Sequence, residues 1–225
     1  MGTMIELTSS DGFTFGAYRA DPSGPARAGV VVVQEIFGVN GHIRSVADGY
    51  AAAGYLAIAP ALFDRAQRDV QLGYTPEDIA AGRAIVGGGQ LTPERTLADI
   101  AAAAAVAAEA GKVGVVGYCW GGMQTARAAI EHGDVIAAAA SYYGGTTVSL
   151  IDRSPVVPLI AHYGELDHAI PLDDVEKIRA AWPMAEVHLY PGAQHGFNCD
   201  HRASYDASTA DLARQRTLAF FAAHL

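Results

Sequence analysis

Residues 112–122 read Lys-Val-Gly-Val-Val-Gly-Tyr-Cys-Trp-Gly-Gly, and few local structures accommodate that run. Val113, Val115 and Val116 predict a short strand buried on both faces. Gly117-Tyr118-Cys119-Trp120-Gly121 follows at once as G-x-C-x-G, and the alanine-rich stretch from Met123 to Ile130 predicts a helix. A strand that enters a helix through so short a turn forces its central residue into a crowded backbone conformation. Glycines on either side remove the Cβ atoms that would collide. The central residue here is Cys119, aimed at the positive end of the following helix, where a thiolate is favoured. A buried cysteine between packing glycines fits the same five residues, so the rest of the chain has to decide.

The rest of the chain alternates strand and helix. Residues 4–8 and 13–19 flank Ser9-Ser10-Asp11-Gly12 and predict a β-hairpin. Four consecutive valines within 29–34 predict a second doubly buried strand, and 55–59 another short one, stopped by Pro60. Helices are expected over 42–53, from Thr75-Pro76-Glu77-Asp78 to about 86, and from Thr92-Pro93-Glu94 to about 110. Residues 61–74 look irregular. Downstream, strands are expected over 135–142, 158–164 and 186–190, with helices over 171–182 and 207–223. The fold class is therefore α/β: a mostly parallel, doubly wound sheet with helices on both faces and an antiparallel hairpin at one edge. Neither a repeat nor a composition shift divides the chain, so one domain over residues 1–225 is expected.

Charge and cysteine usage narrow the function. A net charge of −9 argues against a nucleic-acid partner. Acidic and basic residues spread through the first thirty positions argue against a signal peptide, and the apolar runs are too short for a membrane span. Two cysteines, Cys119 and Cys199, make no disulfide framework and suggest a reducing, cytoplasmic setting. A monomer is the default expectation, since nothing in the pattern calls for a second copy.

A cysteine nucleophile needs a base, and the base needs an orienting acid. His195, in Pro191-Gly192-Ala193-Gln194-His195-Gly196-Phe197, lies between the last strand and the last helix, where an α/β-hydrolase carries its histidine. The acid is expected just past the strand at 158–164. Asp167 is the first candidate and Glu165 the second, while Asp173 and Asp174 suit a helix first turn. The backbone N–H groups of Trp120 and Ile36 are the expected oxyanion donors. Glu35, at the tip of an apolar strand, is either a strand-end residue reaching water or a carboxylate that faces Cys119 and controls its ionisation. Among the other histidines, His42, His132 and His224 read as surface or cap residues and His162 as a packed one. His195, Cys199 and His201 match no common zinc spacing, so no metal is expected.

At these residues the chain resembles the dienelactone hydrolase family. Gln34-Glu35-Ile36-Phe37-Gly38-Val39-Asn40 resembles the family's glutamate motif and Gly117-Tyr118-Cys119-Trp120-Gly121-Gly122 its nucleophile motif. Asp167 and His195-Gly196-Phe197 stand at the places of its acid and base. The resemblance covers nearly the whole chain. It implies a Cys119–His195–Asp167 triad with Glu35 beside the thiol, no metal and no organic cofactor. It also implies a small lactone or ester substrate lined by Phe37, Trp120 and Phe197. Arg65, in Ala61-Leu62-Phe63-Asp64-Arg65, resembles the first of two carboxylate-binding arginines. The position of the second is Cys199, with Arg202 near but out of register. The alternative from another functional class is a non-catalytic thiol-based binding or redox-sensing protein on the same scaffold.

Overall fold

A computed structural model describes residues 2–225. Eight strands form one sheet: β1 (Thr3–Thr8), β2 (Thr14–Ala20), β3 (Gly29–Val33), β4 (Leu56–Pro60), β5 (Val113–Tyr118), β6 (Ala138–Tyr142), β7 (Leu159–Gly164) and β8 (Glu186–Tyr190). Their order across the sheet is β1-β2-β4-β3-β5-β6-β7-β8. β1 pairs with β2, and β2 with β4, antiparallel; every other neighbour is parallel. The hairpin thus occupies one edge, as its Asp11-Gly12 turn implied, with Gly12 at φ 84°. The long helices are α1 (Gly41–Ala52), α2 (Pro76–Gly87), α3 (Pro93–Ala107), α4 (Trp120–Glu131), α5 (Leu172–Ala181) and α6 (Ala207–His224).

The valines of β3 and β5 are buried because both faces of the sheet are covered. On one face, α1 and α6 pack together: Arg214 donates to Gly49 O, and the Tyr50 and Phe221 rings meet at 6.3 Å. On the other, α3 and α4 pack together, with the His132 ring against Leu97 O at 3.2 Å. The glycines of β5 mark the two faces. A Cβ at Gly114 would stand 3.0 Å from Phe221 of α6, whereas one at Gly117 would meet Thr125 Oγ1 of α4 at 2.4 Å.

Two expected boundaries shift for local reasons. β6 begins at Ala138 rather than near Val135, because the Val135 and Ile136 N–H groups turn back to His132 O. The helix expected to reach Ala110 ends at Ala107 and tightens into a 3-10 turn over Ala108–Ala110. The irregular stretch 61–74 contains a 3-10 turn, Leu62–Arg65, and is tied to the loop after β3 through Leu72 N–H to Phe37 O and Asn40 to Leu72 O. Among the described residues, no helix is long and apolar enough to cross a membrane.

β3 and β5 are sheet neighbours whose onward connections leave in opposite directions, to β4 on one side and β6 on the other. The crevice at their carboxyl ends is where open α/β sheets hold their ligands. Cys119 sits there at φ 56° and ψ −119°, as the cap residue of α4. Its neighbours leave no room for a side chain. A Cβ at Gly121 would lie 2.3 Å from Gln34 O and 2.6 Å from Val33 O, and one at Gly117 2.1 Å from Gly121 O. Gly121→Ala should therefore push α4 away from the end of β3. The expected result is a loss of roughly 3 kcal/mol in urea unfolding together with slower alkylation of Cys119; an unchanged urea midpoint would show that the elbow has slack.

Candidate active site

Four loops at the carboxyl ends of β3, β5, β7 and β8 supply the site. β5 delivers Cys119, whose N–H donates to Tyr142 O at 3.0 Å and whose carbonyl accepts from Gly122 and Met123. The turn after β7 delivers Asp167. It is pinned to the loop after β8, where Leu166 N–H reaches Ala193 O and a Cβ at Gly164 would lie 2.5 Å from Ala193 O. The same loop carries His195, followed by Gly196 at φ 78°. Close packing of two loops thus fixes the acid against the base.

The three side chains form a line. His195 Nδ1–H donates to Asp167 Oδ2 at 2.8 Å, and Nε2 stands 3.1 Å from Cys119 Sγ. The Asp167 side chain is buried, and its second oxygen accepts from Ala169 N–H at 2.8 Å, so both oxygens are engaged. Burial alone would push the His195 imidazolium down. The Cys119 sulfur and the bond to Asp167 outweigh it and raise His195 to about 10. Tyr143 packs edge-on against the imidazole at 5.1 Å and fixes its plane. Glu165, the second candidate acid, turns away and accepts from Gly192 N–H. Asp173 and Asp174 lie in the first turn of α5, as expected there.

Ile36 lies in the turn after β3 and Trp120 at the start of α4, two segments that meet where Gly121 abuts Gln34 O. Neither N–H donates to another group among the described residues. The Trp120 ring lies on Phe63 at 5.5 Å. Phe37 is buried and meets Tyr74 at 4.6 Å. Phe197 is a correction: it is fully buried among Tyr142, Tyr143 and Tyr190, so it supports the site from beneath and does not reach a substrate.

Arg65 is the second correction. Its guanidinium donates twice to Asp99 at 2.7 and 2.8 Å and twice to Asp11 at 2.8 and 3.1 Å, over the Phe13 ring. Four of its five N–H donors are engaged. It ties the 3-10 turn to α3 and to the β1–β2 turn. The arginine in the crevice is Arg202, which lies against Phe37 and Tyr74 and donates to Glu35 Oε1 at 3.4 Å. A polar cavity of about 480 Å³ opens beside it, lined by Tyr74, Gln194, His201 and Arg202 among others.

Glu35 is buried, with Oε1 on Arg202 and Oε2 without a hydrogen-bond partner. Cys199, also buried and unoxidised, has its thiol pushed up to about 11 by burial and by the Glu35 charge. His42 is a third correction. It is buried rather than a surface residue, and its Nδ1 stands 3.1 Å from Asp200 Oδ1. His162 is packed as expected, between Tyr190 and Thr217, and burial holds its imidazolium well below the usual range. Sequence reasoning missed Tyr143. The only signal was an aromatic residue at the tip of a strand facing the elbow.

Comparison with known proteins bears on the family and the fold. The model of the family described as "Dienelactone hydrolase family" matches residues 15–225. A Synechocystis protein named "Putative carboxymethylenebutenolidase" is 36% identical over 243 residues, covering 99% of this chain and 97% of its own. One of the same name from Escherichia coli K12 is 36% identical, covering 94% and 83%. The solved structure titled "Putative Dienelactone Hydrolase" from Klebsiella pneumoniae superposes with a TM-score of 0.84 at 34% identity, covering 98% of this chain and 99% of that one. The chain belongs to the dienelactone hydrolase family: it is an α/β-hydrolase by fold and a hydrolase enzyme by kinship.

Proposed function

We propose that this hydrolase cleaves a small lactone or ester through a thioester on Cys119, and that a carboxylate on the substrate docks at Arg202. The line from Asp167 Oδ2 to His195 to Cys119 Sγ, with contacts of 2.8 and 3.1 Å, is the observation that carries the proposal. A non-catalytic thiol protein has no need of an oriented imidazole backed by a buried carboxylate.

The chemistry follows from the positions. His195 takes the thiol proton and the resulting imidazolium is stabilised by Asp167. Sγ adds to the substrate carbonyl, whose oxygen gains the negative charge. The Ile36 and Trp120 N–H groups, which have no other acceptor among the described residues, are the donors assigned to that oxyanion. Collapse breaks the ester C–O bond, and the departing oxygen takes the proton from His195 Nε2–H. In a lactone the leaving oxygen stays tethered to the acyl group. Water then attacks the thioester as His195 accepts its proton. The second collapse breaks the C–S bond and releases the acid.

Arg202 replaces Arg65 as the anion reader because its guanidinium is only partly engaged and stands at a cavity wall. A substrate carboxylate there would compete with Glu35 for the same cation.

Three outcomes test this reading. Cys119→Ala should lower kcat for p-nitrophenyl acetate and for a carboxylate-bearing dienelactone by about 10³-fold or more, with an unchanged far-ultraviolet spectrum. Activity retained in that variant would remove Cys119 as nucleophile, and a single modification without turnover would point to the thiol-sensing alternative. Arg202→Ala should lower kcat/KM for the carboxylate-bearing lactone by roughly 10- to 100-fold and barely affect the neutral ester. Arg65→Ala should instead lower stability without altering that preference. The third outcome concerns pH. The imidazolium of His195 is raised from 6.5 to about 10 on folding, so the stability it contributes is complete below about pH 6.5 and is lost as pH rises through about 10. The difference in unfolding free energy between wild type and His195→Gln should shrink across that window; a constant difference would mean that His195 is neutral in the resting enzyme.

A further inference from the structure

A second cluster of chemistry-bearing side chains lies off the Cys119–His195–Asp167 line. One ligand atom each from Glu35, His42 and Cys199 lies within 4.8 Å of the other two, and all three residues are buried. They come from three segments: the tip of β3, the first turn of α1 and the loop after β8.

Two atoms in the cluster lack a partner. Glu35 Oε2 and His42 Nε2 are both buried without a hydrogen bond. Each such atom costs about 1–3 kcal/mol unless something meets it. The one cation already present, Arg202, reaches only Oε1, at 3.4 Å. The second ring nitrogen of His42, Nδ1, is held by Asp200 at 3.1 Å. A carboxylate behind one ring nitrogen is the arrangement that orients a metal-ligating histidine through the other.

We propose that Glu35, His42 and Cys199 bind one zinc-class divalent cation, with Asp200 orienting His42. Thiol, imidazole and carboxylate form the mixed sulfur, nitrogen and oxygen set that suits zinc, whereas calcium and magnesium take oxygen ligands. On binding, the Sγ–H bond of Cys199 breaks, its proton leaves to solvent, and a sulfur–metal bond forms. The Cys199 thiolate and the Glu35 and Asp200 carboxylates then face the two charges of the ion and the one of Arg202. Three protein ligands leave the fourth tetrahedral position to water. The side chains must draw together by about 1 Å to reach metal–ligand distances of about 2.0–2.3 Å. A cavity of about 170 Å³, lined by His42, Asp200, Asn198 and Tyr205 among others, gives access from the surface. The proposal does not depend on the hydrolytic reading, because none of its ligands is a member of the triad.

The chain has two cysteines, which makes a clean test possible. In Cys119→Ala, cobalt(II) used as a spectroscopic stand-in for zinc can form a cobalt–thiolate charge-transfer band only through Cys199. The expected result is one cobalt per chain with that band, displaced by zinc. It should be lost in Cys119→Ala/Cys199→Ser and weakened by roughly 10-fold or more in Cys119→Ala/His42→Gln. A band in wild type that disappears in Cys119→Ala alone would place the metal on Cys119 and His195 and overturn the proposal. So would the absence of bound cobalt and zinc in both proteins, or a band undiminished by His42→Gln. The first arm requires only that Cys119→Ala folds, so it stands even if the double variants do not.

Discussion

The backbone of Cys119 is the constraint on which this structure turns. A non-glycine residue at φ 56° and ψ −119° carries strain of about 1–3 kcal/mol, and it persists only because neighbours on three sides hold it. The carbonyl of Tyr142 receives its N–H, the first turn of α4 receives its carbonyl, and the bare backbone of Gly121 rests on the carbonyls of Val33 and Gln34. β3, β5 and β6 are therefore spaced by the elbow as much as by their ladders. The same close approach that strains Cys119 brings the end of β3 against the start of α4, where the Gln34 and Val33 carbonyls face Gly121.

Two arginines have opposite duties, one outside the crevice and one within it. Arg65 is saturated by Asp11 and Asp99 and fastens a 3-10 turn to a helix and a hairpin. Removing one partner of a buried pair of this kind leaves an uncompensated charge, so its value is architectural. Arg202 has one long bond to Glu35, lies on two aromatic faces and borders a cavity. An arginine with donors to spare can change partners, and Glu35 is left half satisfied either way. That asymmetry separates an anchoring arginine from one able to meet an anion.

Much of this was legible in the residues. The valine runs, the Asp11-Gly12 turn and the G-x-C-x-G segment dictated the sheet, the edge hairpin and the elbow, because period, turn chemistry and steric room are local properties. Asp167 was preferred over Glu165 from its place past the strand tip, and His195 from its place before the last helix. What stayed illegible depended on distant partners. Arg65 looked like an anion binder because Asp99 and Asp11 are far from it in the chain. His42 looked like a helix-surface residue because its burial comes from the loop after β8. Phe197 stood next to the histidine in sequence, yet the turn at Gly196 sends its ring into the core.

The site is drawn from residues scattered from Glu35 to His195, and its base is braced by an aromatic layer in which Tyr142 and His162 both reach Thr217 of the last helix. Contacts of such long sequence separation close large loops, which costs chain entropy and slows folding. Opening of α6 would therefore loosen the aromatic layer behind His195 while leaving the strand, turn and helix around Cys119 paired.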